Sequence, residues 1–358
     1  MNGSFWKGKR VLITGHTGFK GGWLSLWLQS VGADVTGFAL KPPTDPNLFT
    51  TANVAAGMRS TIGDIRNFSL LKSVIAAADP EVIIHMAAQS VVRYSYDHPI
   101  ETYEVNVLGT VHLLEAIRVI GKPRIVVNVT SDKCYENKEW LWGYREDEPM
   151  GGHDPYSNSK GCAELVTSAY QRSYFPVESF EKHRIAIASV RAGNVIGGGD
   201  WTADQLLPDI IRSFLKKDPV LIRSPRAIRP WQFVLEPLNG YLMVAESLAS
   251  EPAKASGGWN FGPEDRDVRP VGWIVENMVR LWQNQASWKT DERNQLHEAN
   301  YLKLDSSKAH TLLDWRPRLS LDKALDWVVE WYKAYDEKKN IHDLTLEQIS
   351  RFEHLGAS

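Results

Sequence analysis

Tyr156 and Lys160 stand four residues apart in Tyr156-Ser157-Asn158-Ser159-Lys160, a spacing that puts two side chains on one face of a helix. A neighbouring ammonium favours phenolate over phenol and draws a tyrosine from its usual pKa of about 10 towards working pH. Such a pair removes a proton from an alcohol. The spacing alone does not single it out, because Tyr335 and Lys339 repeat it. What separates the two pairs is their surroundings.

The first of these surroundings is a glycine loop, Thr14-Gly15-His16-Thr17-Gly18-Phe19-Lys20-Gly21. It follows the apolar run Lys9 to Thr14 and precedes a stretch in which Trp23, Leu24, Trp27, Leu28 and Val31 fall on one helical face. Glycines at such a junction permit a tight turn, close approach of backbone to a pyrophosphate and close packing of helix on strand. The helix N-terminus adds amide donors. Gly15, His16, Thr17, Gly18, Phe19 and Gly21 are therefore the candidate cofactor loop. Asp64-Ile65 and Ala87-Ala88 follow later strands and end on the same carboxyl edge, where open α/β sheets bind ligands. An acid for the adenosine ribose is missing: the second strand ends Phe38-Ala39-Leu40-Lys41, and Asp34 sits at its start. Either the ribose of NAD is held otherwise, or Lys41 or Arg59 meets the 2′-phosphate of NADP.

Further strands are expected at Asp34 to Leu40, Ser60 to Ile62, Glu81 to His85, Arg124 to Thr130 and Arg184 to Val190. Helices are expected at Ser69 to Ala78, at about Ile100 to Ile120 and around Tyr156. This alternation predicts an α/β fold, a Rossmann-type doubly wound parallel sheet, with a smaller irregular α/β substrate domain. Residues 1–190 are expected to bind the dinucleotide. Residues 191–358, punctuated by prolines, are expected mainly to bind substrate, with a segment near 230–255 returning to the first domain. The last helix, Leu321 to Lys338, and the tail after it read as peripheral.

The chain has 358 residues, 41 basic and 43 acidic, for a net charge of -2. That balance gives no electrostatic footing for nucleic acid or an anionic membrane. Cys134 and Cys162 are too few for a disulfide framework or a thiolate metal site, and no metal is expected. With no signal-like start and no apolar run long enough to span a bilayer, a cytoplasmic protein is expected. Val105, Val107, Leu108, Val111, Leu113, Leu114 and Ile117 spread apolar surface well round the Ile100 to Ile120 helix. That surface predicts an interface shared with the Tyr156 helix, in a homodimer or homotetramer.

Taken in order, TGHTGFKG, GDI, HMAA, NVLG with Asn106, and YSNSK resemble the extended short-chain dehydrogenase/reductases that act on nucleotide sugars. RAGNV, RPWQFV, WNFG and LDSSKA followed by WRP are similar to the substrate half of that family. The resemblance covers almost the whole chain. It implies Tyr156 and Lys160 as the redox pair with Ser131 as hydroxyl donor, and Ser90, Asn194, Arg229, Asn260 and Tyr301 as substrate residues. Arginine suits a diphosphate because its planar donors bind two oxygens at once. Most 4,6-dehydratases of the family resemble Ser/Thr-Asp-Glu at Ser131-Asp132-Lys133, with the Asp as acid and the Glu as base. Here Lys replaces the Glu, which, with TGHTGFKGGWL, resembles the CDP-glucose branch. That branch implies NAD as cofactor, a nucleotide-sugar substrate and a place in making deoxy sugars for surface polysaccharide. Lys133 is then either a neutral base or a cation that stabilises an enolate. A dTDP-, UDP- or GDP-sugar dehydratase, a UDP-sugar 4-epimerase and a non-catalytic dinucleotide sensor are the competing readings.

Overall fold

Apolar runs ending in glycine or another small residue build the sheet that carries the site. The structure, a computed structural model, describes residues 1–122, 124–283, 286–291 and 301–355. Its strands are β1 (Arg10–Thr14), β2 (Asp34–Ala39), β3 (Arg59–Ile62), β4 (Val82–His85), β5 (Ile125–Val129) and β6 (Ala186–Ala192). They continue with β7 (Asn194–Ile196), β8 (Val220–Ile222), β9 (Ile228–Phe233), β10 (Gly257–Phe261), β11 (Val268–Pro270) and β12 (Trp288–Thr290). Seven of them form one sheet in the order β3-β2-β1-β4-β5-β6-β10. Every pairing in it is parallel. The expected doubly wound fold is present, with the strand order reversing between β1 and β4.

Successive strand residues point to opposite faces, and both faces are covered. Leu12, Ile83, Val126 and Ile187 enter one apolar cluster, while Ile13, Ile84, Val127 and Ala188 enter the other. That is why these strands read as unbroken apolar runs rather than alternating ones. The second half of the chain adds a three-stranded sheet, β11-β9-β7, and a pair, β12-β8. It shares the larger cluster through Trp231, Phe233, Trp315 and Trp327. Between these elements the Leu235–Ser250 helix packs on β5 and β6, and β10 extends the main sheet beside β6.

Two expectations change. The segment from Ile100 to Ile120 is not one regular helix: helix Pro99–Tyr103 passes through a π-turn, Glu104–Leu108, into helix Gly109–Ile120. The reason is Asn106, whose amide is drawn into the fold by three hydrogen bonds. It accepts from Gln89 N at 2.9 Å and donates to Gln89 O at 2.9 Å and Ser159 Oγ at 2.8 Å. The tail is not peripheral either. Helix Ile341–His354 buries Ile341, Ile349 and Phe352, with the Phe352 ring edge-on to Trp27 of helix Phe19–Ser30, and Trp27 Nε1 donates to Glu353 Oε1 at 2.9 Å. Tyr335, half of the repeated Tyr/Lys spacing, packs on Trp201 and Trp331. Among the described residues no helix is long and apolar enough to cross a membrane, and no group of His, Cys, Asp and Glu is arranged to hold a metal ion.

Candidate active site

The carboxyl ends of β1 to β6 open into a cavity of about 500 Å³, lined at one end by the glycine loop and at the other by Ser131, Asp132, Lys133, Tyr156 and Lys160. Gly15 has φ +80°, and a Cβ there would stand 2.7 Å from Ala87 N and from Met86 C. At Gly21 a Cβ would meet Gly15 O at 2.1 Å. Only glycine lets the helix begin this close to the turn. Gly18 caps helix Phe19–Ser30 without a side-chain hydrogen bond. The amides of the first turn are thus left for a ligand, the arrangement that receives a pyrophosphate.

Thr17, Gly18, Phe19, Asp64, Ile65, Ala87 and Ala88 line this cradle as expected. His16 does not: its ring is fully buried, donates to or accepts from Ser60 Oγ at 2.7 Å, and lies where a Cβ on Gly37 would touch it. Burial lowers its pKa to about 4, so it is a neutral packing residue whose backbone alone belongs to the loop. Of the two cations considered for a 2′-phosphate, Arg59 is bound to Asp34 at 2.9 Å, whereas Lys41 lines the cavity. Asp64 stands there as well, held in the carboxylate form by the fork of Arg66.

The reacting end is built by two elements. After β5 the chain turns through Asp132–Cys134, with Ser131 Oγ accepting from Lys133 N at 3.2 Å and donating to Asp132 Oδ1 at 3.0 Å. Facing it, helix Pro155–Ser173 starts at Asp154, whose side chain caps Ser157 N at 2.9 Å. This start sets Tyr156 and Lys160 on the buried side of the first two turns. The Ser131 hydroxyl lies near enough to the Tyr156 phenol to favour its ionised form, and Lys133 Nζ lies 6.0 Å from the centre of the Tyr156 ring.

The electrostatics differ from the sequence expectation at one point. Burial pushes the Tyr156 phenol above its ordinary range, and the nearby Ser131 hydroxyl only partly opposes it. Lys160 does not reverse this, because burial and then the charge of Lys20 lower its own pKa to about 7. Asp132 fits the acid role: burial raises its pKa against the pull of Lys133, and its Oδ2 is buried with no hydrogen-bond partner.

Sequence reasoning passed over Lys20. It occupies the last variable position of the glycine loop, lines the cavity and is lowered to about 8 by burial. The signal was present, since a lysine in the first turn of a buried helix needs a reason to be there. Lys20→Met should remove a like charge from Lys160 and raise its pKa. The limb of the pH profile of kcat/KM that falls as Lys160 deprotonates, near pH 7 in the parent, should then move to higher pH. An unmoved limb would mean that Lys20 does not act on Lys160.

On the substrate side, Ser90 and Asn194 line the cavity. Arg229 lies close enough to Asp132 to favour its ionised form. Asn260 stands outside. It is fully buried, accepts from the Tyr135 hydroxyl at 2.7 Å and donates to Tyr144 O at 2.8 Å and Asp305 O at 3.2 Å. Its hydrogen bonds go to joining β10 to the 144–146 and 304–306 segments, which leaves little for a ligand. Tyr301 is also off the cavity, with its hydroxyl donating to Leu141 O at 3.3 Å.

The sequence profile of the GDP-mannose 4,6 dehydratase family matches residues 12–327. The chain belongs to that family. Among its relatives, the CDP-glucose 4,6-dehydratase of Salmonella typhimurium is 56% identical over 349 residues, covering 98% of this chain and 97% of that protein. Solved structures similar to this chain include an epimerase from Methanothermobacter thermautotrophicus, with a TM-score of 0.79, 22% identity and coverage of 94% of this chain and 95% of that one. Another is a dTDP-glucose 4,6-dehydratase from Bacillus anthracis in complex with NAD, with a TM-score of 0.74, 22% identity and coverage of 92% and 98%.

Proposed function

We propose that this chain is a CDP-D-glucose 4,6-dehydratase, converting CDP-D-glucose to CDP-4-keto-6-deoxy-D-glucose and water. The observation that carries it is the Ser131-Asp132-Lys133 turn set against Tyr156 in a chain 56% identical to a CDP-glucose 4,6-dehydratase. NAD would be held by the amides after Gly15 and Gly18, with Asp64 and Lys41 at the far end and Lys160 at the near one. Bound there, it supplies a hydride acceptor for sugar C4 and the hydride returned to C6. Tyr156 takes the C4 hydroxyl proton while Ser131 hydrogen-bonds the same oxygen. The resulting 4-ketone acidifies C5, and the Lys133 side takes that proton or stabilises the enolate. Asp132, whose carboxyl burial shifts towards the protonated form, donates to the departing C6 hydroxyl. On this reading residues 1–190 mainly serve the dinucleotide and residues 191–358 the nucleotide sugar, with Asn194, Arg229 and Ser90 nearest the sugar diphosphate.

Incubation with CDP-, dTDP-, UDP- and GDP-sugars and NAD or NADP should yield a 4-keto-6-deoxy product fastest from CDP-glucose with NAD. Faster conversion of another nucleotide sugar would overturn the assignment. We also assign the exposed apolar side of this region to a subunit interface. Ile100, Leu108 and Val119 are 75%, 48% and 53% exposed, as are Leu165 on helix Pro155–Ser173 and Tyr174 at its C-cap, at 59% and 51%. Light scattering should give the mass of a dimer or more, and a monomer at working concentration would refute the interface.

A further inference from the structure

A buried ion pair stands behind the two elements that carry the reacting side chains. Glu164 follows Lys160 by four residues and Tyr156 by eight on helix Pro155–Ser173, so the three share a face. Arg191 lies on β6. Their side chains are 5% and 4% exposed, and neither lines the cavity. Arg191 Nε donates to Glu164 Oε1 and Nη2 to Oε2, each at 2.9 Å. This is the parallel fork that fixes direction as well as distance.

The turn Asp132–Cys134 is tied to the pair on both sides. Thr130, two residues before Asp132, donates through Oγ1 to Glu164 Oε1. Tyr135, directly after Cys134, accepts at its hydroxyl from Arg191 Nη1 at 2.5 Å and donates to Asn260 Oδ1 at 2.7 Å. Arg191 Nη1 also donates to Glu146 O at 3.0 Å. Burial pushes the Glu164 carboxyl up, but the charge and fork of Arg191 outweigh it and hold the group below the usual carboxylate range. Taking two charges out of water costs much of what their attraction returns. Net stability is therefore a poor account of the pair, whereas a fork bonded on both sides of a turn sets distances.

We infer that Glu164 and Arg191 are positioning residues which, through Thr130 and Tyr135, hold Asp132 and Lys133 at the distance from Tyr156 that lets elimination follow oxidation on the same bound sugar. The inference rests on the dehydratase reading above. That reading makes the demand specific, because one sugar must meet the Tyr156 helix at O4 and the Asp132–Cys134 turn at C5 and C6 without being released. A misplacement of about 1 Å set up away from the reacting atoms can cost about a hundredfold. Loosening the brace frees the turn from the helix, so it slows elimination more than oxidation at C4.

Tyr135→Phe tests this. It cuts one arm and keeps the ring under the Arg191 guanidinium, 5.0 Å away, and stacked on Tyr144. Nη1 keeps its bond to Glu146 O. The full chain is assayed with NAD⁺ and whichever nucleotide sugar the parent converts fastest. Product formation should fall by about tenfold with KM within about twofold, a partial form of the loss that misplacement brings. Reduced nicotinamide, followed by its absorbance, should build up during turnover, because hydride taken from C4 waits for a slower loss of water before it returns to C6. Arg191→Met cuts the fork as well and should deepen both effects, to about a hundredfold in product formation. Arg191→Lys keeps the charge without the fork and should recover only a small part. NAD⁺ affinity within about twofold of the parent reports that the cradle is folded, and if Arg191→Met does not fold, Tyr135→Phe decides alone. Product formation at the parent rate in Tyr135→Phe would overturn the brace, as would a loss with no build-up of reduced nicotinamide or full recovery in Arg191→Lys. A parent that prefers another nucleotide sugar, with the same build-up in Tyr135→Phe, would overturn the CDP-glucose reading and leave the brace standing. A parent that converts none would overturn both.

Discussion

Tyr156→Phe is expected to lower turnover of CDP-glucose by about a hundredfold to ten-thousandfold, the range lost with a positioned proton-transfer group. That is about 3–5 kcal/mol of barrier at about 1.4 kcal/mol per decade. The substitution removes one hydroxyl from a side chain 8% exposed and leaves the ring in place. Ser131 keeps its bonds to Asp132 Oδ1 and Lys133 N, so the turn that carries the elimination residues is not disturbed. NAD⁺ affinity should therefore change little while the chemistry is lost. Exchange of solvent deuterium into C5 should fall with turnover, because C5 becomes acidic only after C4 is oxidised. Exchange at the parent rate in Tyr156→Phe would show that another group takes the C4 proton. Burial disfavours the phenolate, and only the phenolate oxygen can accept the C4 proton, so the reaction draws on the ionised form and a phenylalanine has nothing to replace it.

The sheet was legible because burial on both faces leaves only one pattern, short apolar runs such as Val11 to Ile13 and Val82 to Ile84 separated by helical periods. The cradle was legible because Gly15 and Gly21 leave no room for any other residue. What sequence could not give was direction. His16 sits within the glycine loop, yet its ring turns under β2 towards Gly37 and Ser60, and a loop motif carries no mark of which side chains point inward. Asn260 follows the same lesson: an amide beside a strand end suits a ligand or a loop carbonyl equally, and here Tyr144 and Asp305 take it. Asn106 was visible as a residue but its π-turn was not, since inserting one residue in a turn leaves the apolar period nearly intact. Lys160 was visible beside Tyr156 but its charge was not, because burial and the like charge of Lys20, which both lower its pKa, come from tertiary packing.

The second large effect divides the elimination between two neighbours. Asp132→Asn should lower formation of the 4-keto-6-deoxy product by about a hundredfold to ten-thousandfold, since an amide cannot deliver a proton to the C6 hydroxyl. It should leave proton exchange at C5 running, because oxidation at C4 and removal of the C5 proton precede departure of water. CDP-glucose recovered from heavy water would then carry deuterium at C5. Lys133→Ala should show the reverse, with C4 oxidation retained and exchange at C5 lost. The two residues share one turn and one cap, Ser131, so a general collapse of the turn would suppress exchange in both, and only separate roles give opposite results. The pH dependence separates them again. Asp132 is raised by burial and acts when protonated, so the parent should lose activity as pH rises through that pKa. Asp132→Asn should lack this limb. Deuterium exchange undiminished in Lys133→Ala would exclude it as the base, leaving its ammonium, near the Tyr156 ring, to stabilise charge on the enolate while another group takes the proton.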